Sequence, residues 1–246
     1  MRKTLLLFCL LHPLLASGNA LDAQRLNEID SRSKLLCASA MAYFDPRERE
    51  PDTRGLTSVY HNLMALDTLV VQLGGSESLH RPLQSMRTVF ETLEGLPRKE
   101  SAQFPPLVRQ LLESSDALQQ TALATVTSSA SDPLAEELGA QSRALASLLL
   151  DYQLRGYPLP DPQPFALSSE QVRHFDAEVN QRFKQLQANY PQHAVALGKI
   201  DNTYRFVRSQ LLQGNGHLSG GANFYLDRAI SDLDDLAATI STVLAE

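Results

Sequence analysis

Apolar side chains recur at intervals of three and four residues along most of the chain, and this spacing constrains the fold more than any other feature. An α-helix completes a turn every 3.6 residues, so side chains at these intervals share one face. One stretch has successive intervals of four, three, four and three residues: Leu79, Leu83, Met86, Phe90 and Leu93. No stretch sustains the two-residue alternation that is typical of a half-buried strand. We therefore predict an all-α fold.

Prolines, glycines and polar runs divide this pattern into about eight amphipathic segments. The segments begin near Leu21, Thr53, Ser78, Pro105, Pro133 and Ser168, after Pro191, and near Ala222. Asp132 before Pro133 predicts a capped helix start, and Ser168 with Gln171 predicts a capping box. Because helices of this length are marginal alone in water, their apolar stripes must be buried against one another. We expect one or two antiparallel helical bundles.

A proline-rich run interrupts the helical pattern after the fifth segment, where GYPLPDPQ holds three prolines. Such a run favours a loop and marks a candidate boundary. The predicted parts are a signal peptide over residues 1–20, an N-terminal helical bundle over 21–155, a proline-rich linker over 156–167 and a C-terminal three-helix segment over 168–246. The alternative is that both helical parts pack as one continuous bundle.

The amino terminus has the order of a secretory signal peptide. Arg2 and Lys3 precede an apolar run, and small residues lead to a predicted cut after Ala20. The run is too short to span a bilayer, and Pro13 interrupts it, which disfavours a membrane anchor. No later segment is apolar enough to span. We predict export to the periplasm or the medium, with no membrane span after cleavage.

Net charge and cysteine content exclude several classes. The formal net charge is −6 at pH 7, which disfavours binding to nucleic acid or to anionic lipid, because both require a basic surface. Cleavage after Ala20 would leave Cys37 as the one cysteine, so no internal disulfide is expected. Cys37 lies between Leu36 and Ala38 in an apolar stretch. We interpret it as a small buried hydrophobic residue.

Motifs that carry chemistry are missing from the sequence. The sequence contains no zinc-binding, di-iron, haem-attachment or nucleotide-binding pattern, and it contains no serine-nucleophile elbow. We therefore expect no catalytic residue, metal or cofactor. His174 and Glu178 share a helix face, and we interpret them as a solvent-side polar pair. The leading hypothesis is an exported, non-enzymatic helical binding protein, such as a periplasmic accessory, sensor or adaptor. Its ligand would be a protein partner or a small molecule of the cell envelope.

Two alternatives belong to other functional classes. One is a metal-binding or enzymatic bundle whose site is assembled from distant residues. The other is a structural or assembly component of an envelope complex. The sequence leaves the oligomeric state open.

Charged residues are distributed unevenly over the last three predicted helices. The sixth and seventh carry a basic set: Arg173, Arg182, Lys184, Lys199, Arg205 and Arg208. The eighth carries an acidic set: Asp227, Asp232, Asp234 and Asp235. These sets are predicted either to pair across neighbouring helices or to form solvated faces, of which the basic one is a candidate docking face for an acidic partner.

The first predicted helix contains Ile29-Asp30-Ser31-Arg32-Ser33-Lys34-Leu35-Leu36-Cys37. This resembles the opening helix of the sensor modules of type IV pilus and nitrate/nitrite-responsive transducers, whose motif reads approximately Gly-Arg-Gln-Arg-Met-Leu-Ser-Gln-Arg. The resemblance rests on Arg32, Lys34 and the two leucines, whereas Ser31 replaces the glycine. It implies an all-helical extracytoplasmic module that binds a small ligand or a partner and signals by helix displacement, here as a relative without a membrane span. The candidate ligand or partner face consists of Arg32, Lys34, Arg205 and Arg208.

Overall fold

Eight α-helices form the fold, and no strand occurs in the part of the chain that the structure describes. The computed structural model describes residues 12–125, 132–161, 164–213 and 221–243. The helices are α1 (His12–Tyr43), α2 (Thr53–Gln72), α3 (Glu77–Gly95), α4 (Phe104–Thr125), α5 (Pro133–Gly156), α6 (Ser169–Asn189), α7 (Ala194–Gln213) and α8 (Gly221–Val243). Short 3-10 helices, Arg98–Gln103 and Pro191–His193, precede α4 and α7. The all-α prediction is confirmed.

Helix ends follow the local chemistry of the sequence. The Asp132 side chain accepts hydrogen bonds from the backbone N–H groups of Leu134 and Ala135, at 2.9 and 3.0 Å. Ser168 and Gln171 form both halves of the predicted capping box, which satisfies two backbone donors that the first turn of α6 leaves free. Gly75 follows α2 with a φ of 63°, a conformation that glycine adopts without steric cost.

One boundary differs from the prediction. Helix α1 begins at His12 rather than near Leu21, so residues 12–20 of the predicted signal peptide continue the helix. Pro13 is tolerated there because it lies in the first turn. Gly18 costs a helix interior only about 1 kcal/mol, which does not end the helix. Residues 1–11 of the predicted signal peptide lie outside the described residues.

Helix α1 contributes to two hydrophobic cores. The first core lies among α1, α2, α3 and α4 and includes Leu154 of α5 and, from the segment after α5, Tyr157 and Leu159. The second core lies among α5, α6, α7 and α8, and Leu35 and Ala38 of α1 complete it. The neighbouring residues Leu35 and Leu36 are both fully buried, yet they belong to different cores. Burial on opposite sides makes α1 the element that joins the two halves of the fold.

The proline-rich segment links two helices of the same core. Helix α5 precedes the segment and α6 follows it, and both pack in the second core. Asp151 of α5 accepts a hydrogen bond from the backbone N–H of Leu167 at 2.9 Å, which fixes the end of the segment against α5. Tyr157 donates to the carbonyl oxygen of Phe44 at 3.0 Å. These contacts hold the segment between α5 and α6 against both cores.

Among the described residues, no helix combines the length and the apolar character that crossing a membrane requires.

Candidate functional site

Polar side chains from α1, α2 and α8 meet inside the interface of these helices. The hydroxyls of Ser39 on α1 and Ser58 on α2 are hydrogen-bonded at 2.8 Å. Ser58 also donates to Oδ2 of Asp227 on α8 at 3.1 Å, and Asn62 donates to Oδ1 of Asp227 at 3.3 Å. Asn223, one turn before Asp227 on α8, donates from Nδ2 to the Ser39 hydroxyl at 3.2 Å. We call these five residues the polar chain.

Hydrogen-bond direction in the polar chain follows from the carboxylate at its end. An ionised carboxylate only accepts, so Ser58 donates to Asp227 and Ser39 donates to Ser58. The Ser39 oxygen then accepts from Asn223, and this places the amide Nδ2 of Asn223 towards Ser39. The amide oxygen Oδ1 of Asn223 is buried and has no partner among the described residues. Oδ1 of Asn62 is also buried without a hydrogen-bond partner among the described residues.

Asp227 is partly buried, and its electrostatic surroundings differ from those of the buried aspartates. Each buried aspartate of the described residues has an arginine within 4.0 Å: Asp45 with Arg47, Asp151 with Arg155, Asp176 with Arg208, Asp201 with Arg205 and Asp234 with Arg32. Asp227 forms no ion pair in the described part of the chain. Burial raises the pKa of its carboxyl above the ordinary value, although hydrogen bonds from Asn62 and Ser58 oppose the shift. Arg32 and His61 also lower this pKa, but neither lies within ion-pair distance of the carboxylate in the described part of the chain.

A cleft of about 400 Å³ opens over this end of the polar chain. Its floor contains Ser58, Asn223 and Asp227. Acidic residues and one arginine stand at its rim, namely Glu48, Glu50, Asp52 and Arg54, and apolar surface comes from Ala42, Pro51 and Phe224. The cleft is thus a concave site with a partly buried charge at its base.

Local sequence explains how the cleft is built. Asp52 caps α2 by accepting from the backbone N–H of Arg54 at 2.9 Å, and it also pairs with the Arg54 guanidinium. A Cβ at Gly55 would lie 3.3 Å from Cβ of Tyr43 and 3.5 Å from the carbonyl oxygen of Ser39. Glycine therefore lets the first turn of α2 approach α1 closely, which brings Ser58 to Ser39.

A larger groove of about 750 Å³ lies between α3 and α4. Ser78, Ser85 and Ser114 line it, and Ser85 and Ser114 are hydrogen-bonded to each other at 2.8 Å. None of its lining residues has a buried polar atom without a partner. We therefore place the candidate site in the cleft of α1, α2 and α8 rather than in this groove.

Arg32, a predicted site residue, lies inside the protein. Its side chain is 4% exposed, and its Nε lies 3.1 Å from Glu28 and 3.6 Å from Oδ2 of Asp234. Its Nη1 donates to Ser231 at 2.8 Å. Lys34 pairs with Asp30 on the same helix at 2.9 Å, and both side chains are largely buried. Both cations are engaged by carboxylates of this chain.

Asp234 is the acidic partner at the junction of α1, α5 and α8. It accepts from Ser31 at 2.8 Å and from Ser142 at 2.5 Å. Burial raises its pKa to about 7, although the nearby Arg32 guanidinium opposes the shift. Complete burial and occupied partners indicate that this cluster stabilises the helix junction.

Arg205 and Arg208, the other predicted site residues, lie on α7. Arg205 pairs with Asp201 at 2.7 Å. Arg208 donates to both oxygens of Asp176 on α6, each at 2.6 Å, and Tyr204 donates to the same carboxylate at 2.5 Å. Burial acts to raise the pKa of Asp176, but the hydrogen bonds from Arg208 and Tyr204 hold it below the ordinary value. Helices α1 and α7 do not touch in the described part of the chain, so the structure does not bring the four predicted residues together.

Of the alternatives for the charged sets, pairing of α6 and α7 with α8 does not occur among the described residues. Across the described ranges, no ion pair joins α6 or α7 to α8; Arg182 pairs with Glu137 of α5, and Asp234 pairs with Arg32 of α1. Of the acidic set on α8, Asp227 bonds to α2 and Asp234 bonds to α1 and α5, whereas Asp232 and Asp235 are exposed. The sequence could not show which neighbour α8 would contact.

The spacing of polar residues in α8 indicates the site from the sequence alone. Asn223, Asp227, Ile230 and Asp234 follow one another at intervals of four, three and four residues, the same intervals that place apolar residues on a buried face. Polar residues at such positions indicate a buried polar layer. Asp227 was predicted to belong to an acidic set on the eighth helix, and Ser39, Ser58, Asn62 and Asn223 were not predicted as site residues.

Two other sequence interpretations are confirmed. Cys37 is fully buried in the first core, and burial raises the pKa of its thiol to about 12. His174 and Glu178 form an exposed i, i+4 pair at 3.6 Å.

Within the described ranges, no group of three or more histidine, cysteine, aspartate or glutamate residues is placed to hold a metal ion. The α1 segment that resembles the transducer sensor modules packs inward through Arg32 and Leu36. No family model, curated protein or solved structure matches this chain, and the resemblance stays a prediction.

Proposed function

We propose that this chain is an exported, non-enzymatic helical binding protein of the cell envelope, and that it holds a small ligand in the cleft of α1, α2 and α8. One observation carries the proposal: among the described residues, the polar chain ends beside this cleft in a carboxylate without an ion-pair partner and a buried amide oxygen without a hydrogen-bond donor. Asn223 and Asp227 both line the concave surface.

Energetics favour a ligand at this position. A buried polar group without a partner costs about 1–3 kcal/mol, and a buried charge without a counter-ion costs more. A ligand that bonds to Asn223 and Asp227 recovers this free energy on binding. The cleft volume of about 400 Å³ lies within the range of small-molecule sites.

The arrangement suits recognition better than catalysis. The serine hydroxyls donate along the polar chain towards Asp227, so they fix the carboxylate in one orientation instead of presenting an activated nucleophile. The cleft wall comes from three different helices and from the loop between α1 and α2, and the helices give it a rigid frame. A preformed site of fixed acceptors is typical of a binding protein.

Ligand screening by thermal unfolding tests the binding function. We would heat the protein with a panel of anionic, neutral and cationic small molecules. A variant with a filled cleft, Ala42→Trp, and a matched variant outside the cleft, Val195→Trp on an exposed position of α7, would be treated alike. We expect at least one compound to raise the unfolding temperature of the wild type and of V195W but not of A42W. No stabilisation by any class, or equal stabilisation of A42W, would contradict the proposal.

Export is a separate part of the proposal, supported by the order of basic, apolar and small residues in the sequence of residues 1–20. Amino-terminal sequencing of protein recovered from the periplasm or the medium tests it. We expect the recovered chain to begin at Leu21. Recovery of the full-length chain from the cytoplasm would contradict it.

A further inference from the structure

We infer that the cleft of α1, α2 and α8 selects an organic ammonium ion, with Asp227 as its counter-ion and Oδ1 of Asn223 as a second hydrogen-bond acceptor. This inference rests on the binding function proposed above and adds the chemical class of the ligand.

Acceptors, not donors, remain free at the floor of the cleft. Ser58 uses its proton on Asp227, and the amide Nδ2 of Asn223 is used on Ser39. The carboxylate of Asp227 and Oδ1 of Asn223 can therefore only accept from a ligand. An ammonium group has three donors and no acceptor, so it complements this set, whereas a ligand carboxylate or phosphate does not.

Charge at the rim has the same sign as charge at the floor. Arg54 is the one basic side chain among the lining residues, and it is paired with Asp52. Glu48 and Glu50 are exposed and form no ion pair in the described part of the chain. Their carboxylates leave the cleft with an excess of negative charge, which attracts cations and repels anions.

Size and surface favour an organic cation over a bare metal ion. A volume of about 400 Å³ far exceeds that of a single ion with its ligands. Pro51 and Phe224 line one wall, and Phe224 remains 44% exposed. An apolar body attached to the ammonium group would cover this wall, and removing both apolar surfaces from water would favour binding. We therefore expect a ligand with a charged amine at one end and an apolar body at the other.

Three probes test the inference: benzylamine, benzyl alcohol and benzoate. They share an aromatic ring and differ in the charge of the attached group. Each would be titrated calorimetrically at neutral pH into the wild type, into Asp227→Asn and into Asp232→Asn, a matched loss of charge on the exposed side of α8. We expect benzylamine to bind the wild type and D232N about tenfold or more tightly than benzyl alcohol does, and benzoate to bind most weakly. D227N should remove this preference for the amine.

Outcomes separate the ligand class from the binding function. If the thermal screen finds a ligand but benzyl alcohol binds as tightly as benzylamine, or if D227N leaves the preference unchanged, the inference is overturned while the binding function stands. If calcium chloride alone binds and D227N abolishes that binding, the site takes a metal ion and the inference is also overturned. If no compound of any class binds, the binding function fails first.

A second variant keeps the test valid if D227N does not fold. Glu48→Gln with Glu50→Gln changes only exposed side chains at the rim, so it should leave the unfolding temperature unchanged. We expect the affinity for benzylamine to fall a few-fold and to become less dependent on salt. An unchanged affinity and salt dependence would contradict a cation-selective cleft.

Discussion

Arg32 of α1 lies with its Nε 3.6 Å from Oδ2 of Asp234 on α8, and the two side chains expose only 4% and 1% of their surfaces. The pair joins the first helix of the chain to the last one. Glu28 and Ser231 complete the surroundings of the guanidinium. A buried pair of this kind has little net effect on stability while it is intact, but the loss of one partner leaves a buried charge.

Replacement of the arginine should therefore be costly. At pH 8, above the pKa of about 7 of Asp234, we expect Arg32→Met to lower the free energy of unfolding by about 3–5 kcal/mol, because the ionised carboxylate would remain buried without its cation. Urea unfolding followed by circular dichroism measures this change. Arg81→Met is the control, since Arg81 forms an i, i+4 pair with Glu77 on α3 in which both side chains are exposed, and its replacement should cost below about 1 kcal/mol. Equal losses in both variants would refute the role given to Arg32.

Stability should also depend on the protonation of Asp234. Its pKa is raised to about 7 in the folded protein from an ordinary value of 3.8, so the folded state holds this proton where the unfolded state has released it. The contribution of Asp234 to stability is then full below about pH 4 and declines as the pH rises to about 7. Arg32 and Glu28 are the charged groups that face it from α1.

Urea unfolding between pH 4 and pH 8 measures this dependence against Asp234→Asn, which is neutral throughout. We expect the stability of the wild type relative to D234N to decline between about pH 4 and pH 7 and then to level off. A difference that stays constant, or that grows with pH, would show that the carboxyl is ionised over the whole range.

Tyr204 should stabilise the contact between α6 and α7. Its hydroxyl donates to Asp176 at 2.5 Å inside the second core. We expect Tyr204→Phe to lower the free energy of unfolding by about 1.5–3 kcal/mol, the range for a hydrogen bond to a charged group. Tyr225→Phe, at an exposed position, is the control and should leave stability within about 0.5 kcal/mol. Equal effects of the two substitutions would contradict the contact.

The two cores should unfold together because α1 belongs to both. We expect Leu35→Ala and Leu36→Ala each to cost about 2–5 kcal/mol, as fully buried leucines do, and each to shift a single urea transition without changing its slope. Two separate transitions, with L35A shifting only the one that belongs to the second core, would instead show that the two cores unfold independently.

Local signals in the sequence determined the helices, whereas their partners depended on distant contacts. The caps at Asp132 and Ser168 and the glycines after α2 act within one turn, so they were readable. The spacing of the apolar residues in α1 predicted a helix with one buried face but could not show that α1 is buried on two sides. Arg32 was assigned to a surface because a basic residue is usually exposed, and only the position of Asp234 on α8 explains its burial.

The candidate site was hidden for a related reason. Ser39, Ser58 and Asp227 come from three helices that are far apart in sequence, and no motif joins them. Polar residues at core spacing in α8 indicated a buried layer, but the missing cation of Asp227 and the free oxygen of Asn223 are properties of the packed structure alone.

A crystal structure of the protein with benzylamine tests the ligand site most directly. We predict the amine nitrogen within hydrogen-bond distance, about 2.7–3.2 Å, of both the Asp227 carboxylate and Oδ1 of Asn223, with the ring against Phe224. A nitrogen placed elsewhere, or an empty cleft at a concentration that saturates the calorimetric titration, would contradict the account.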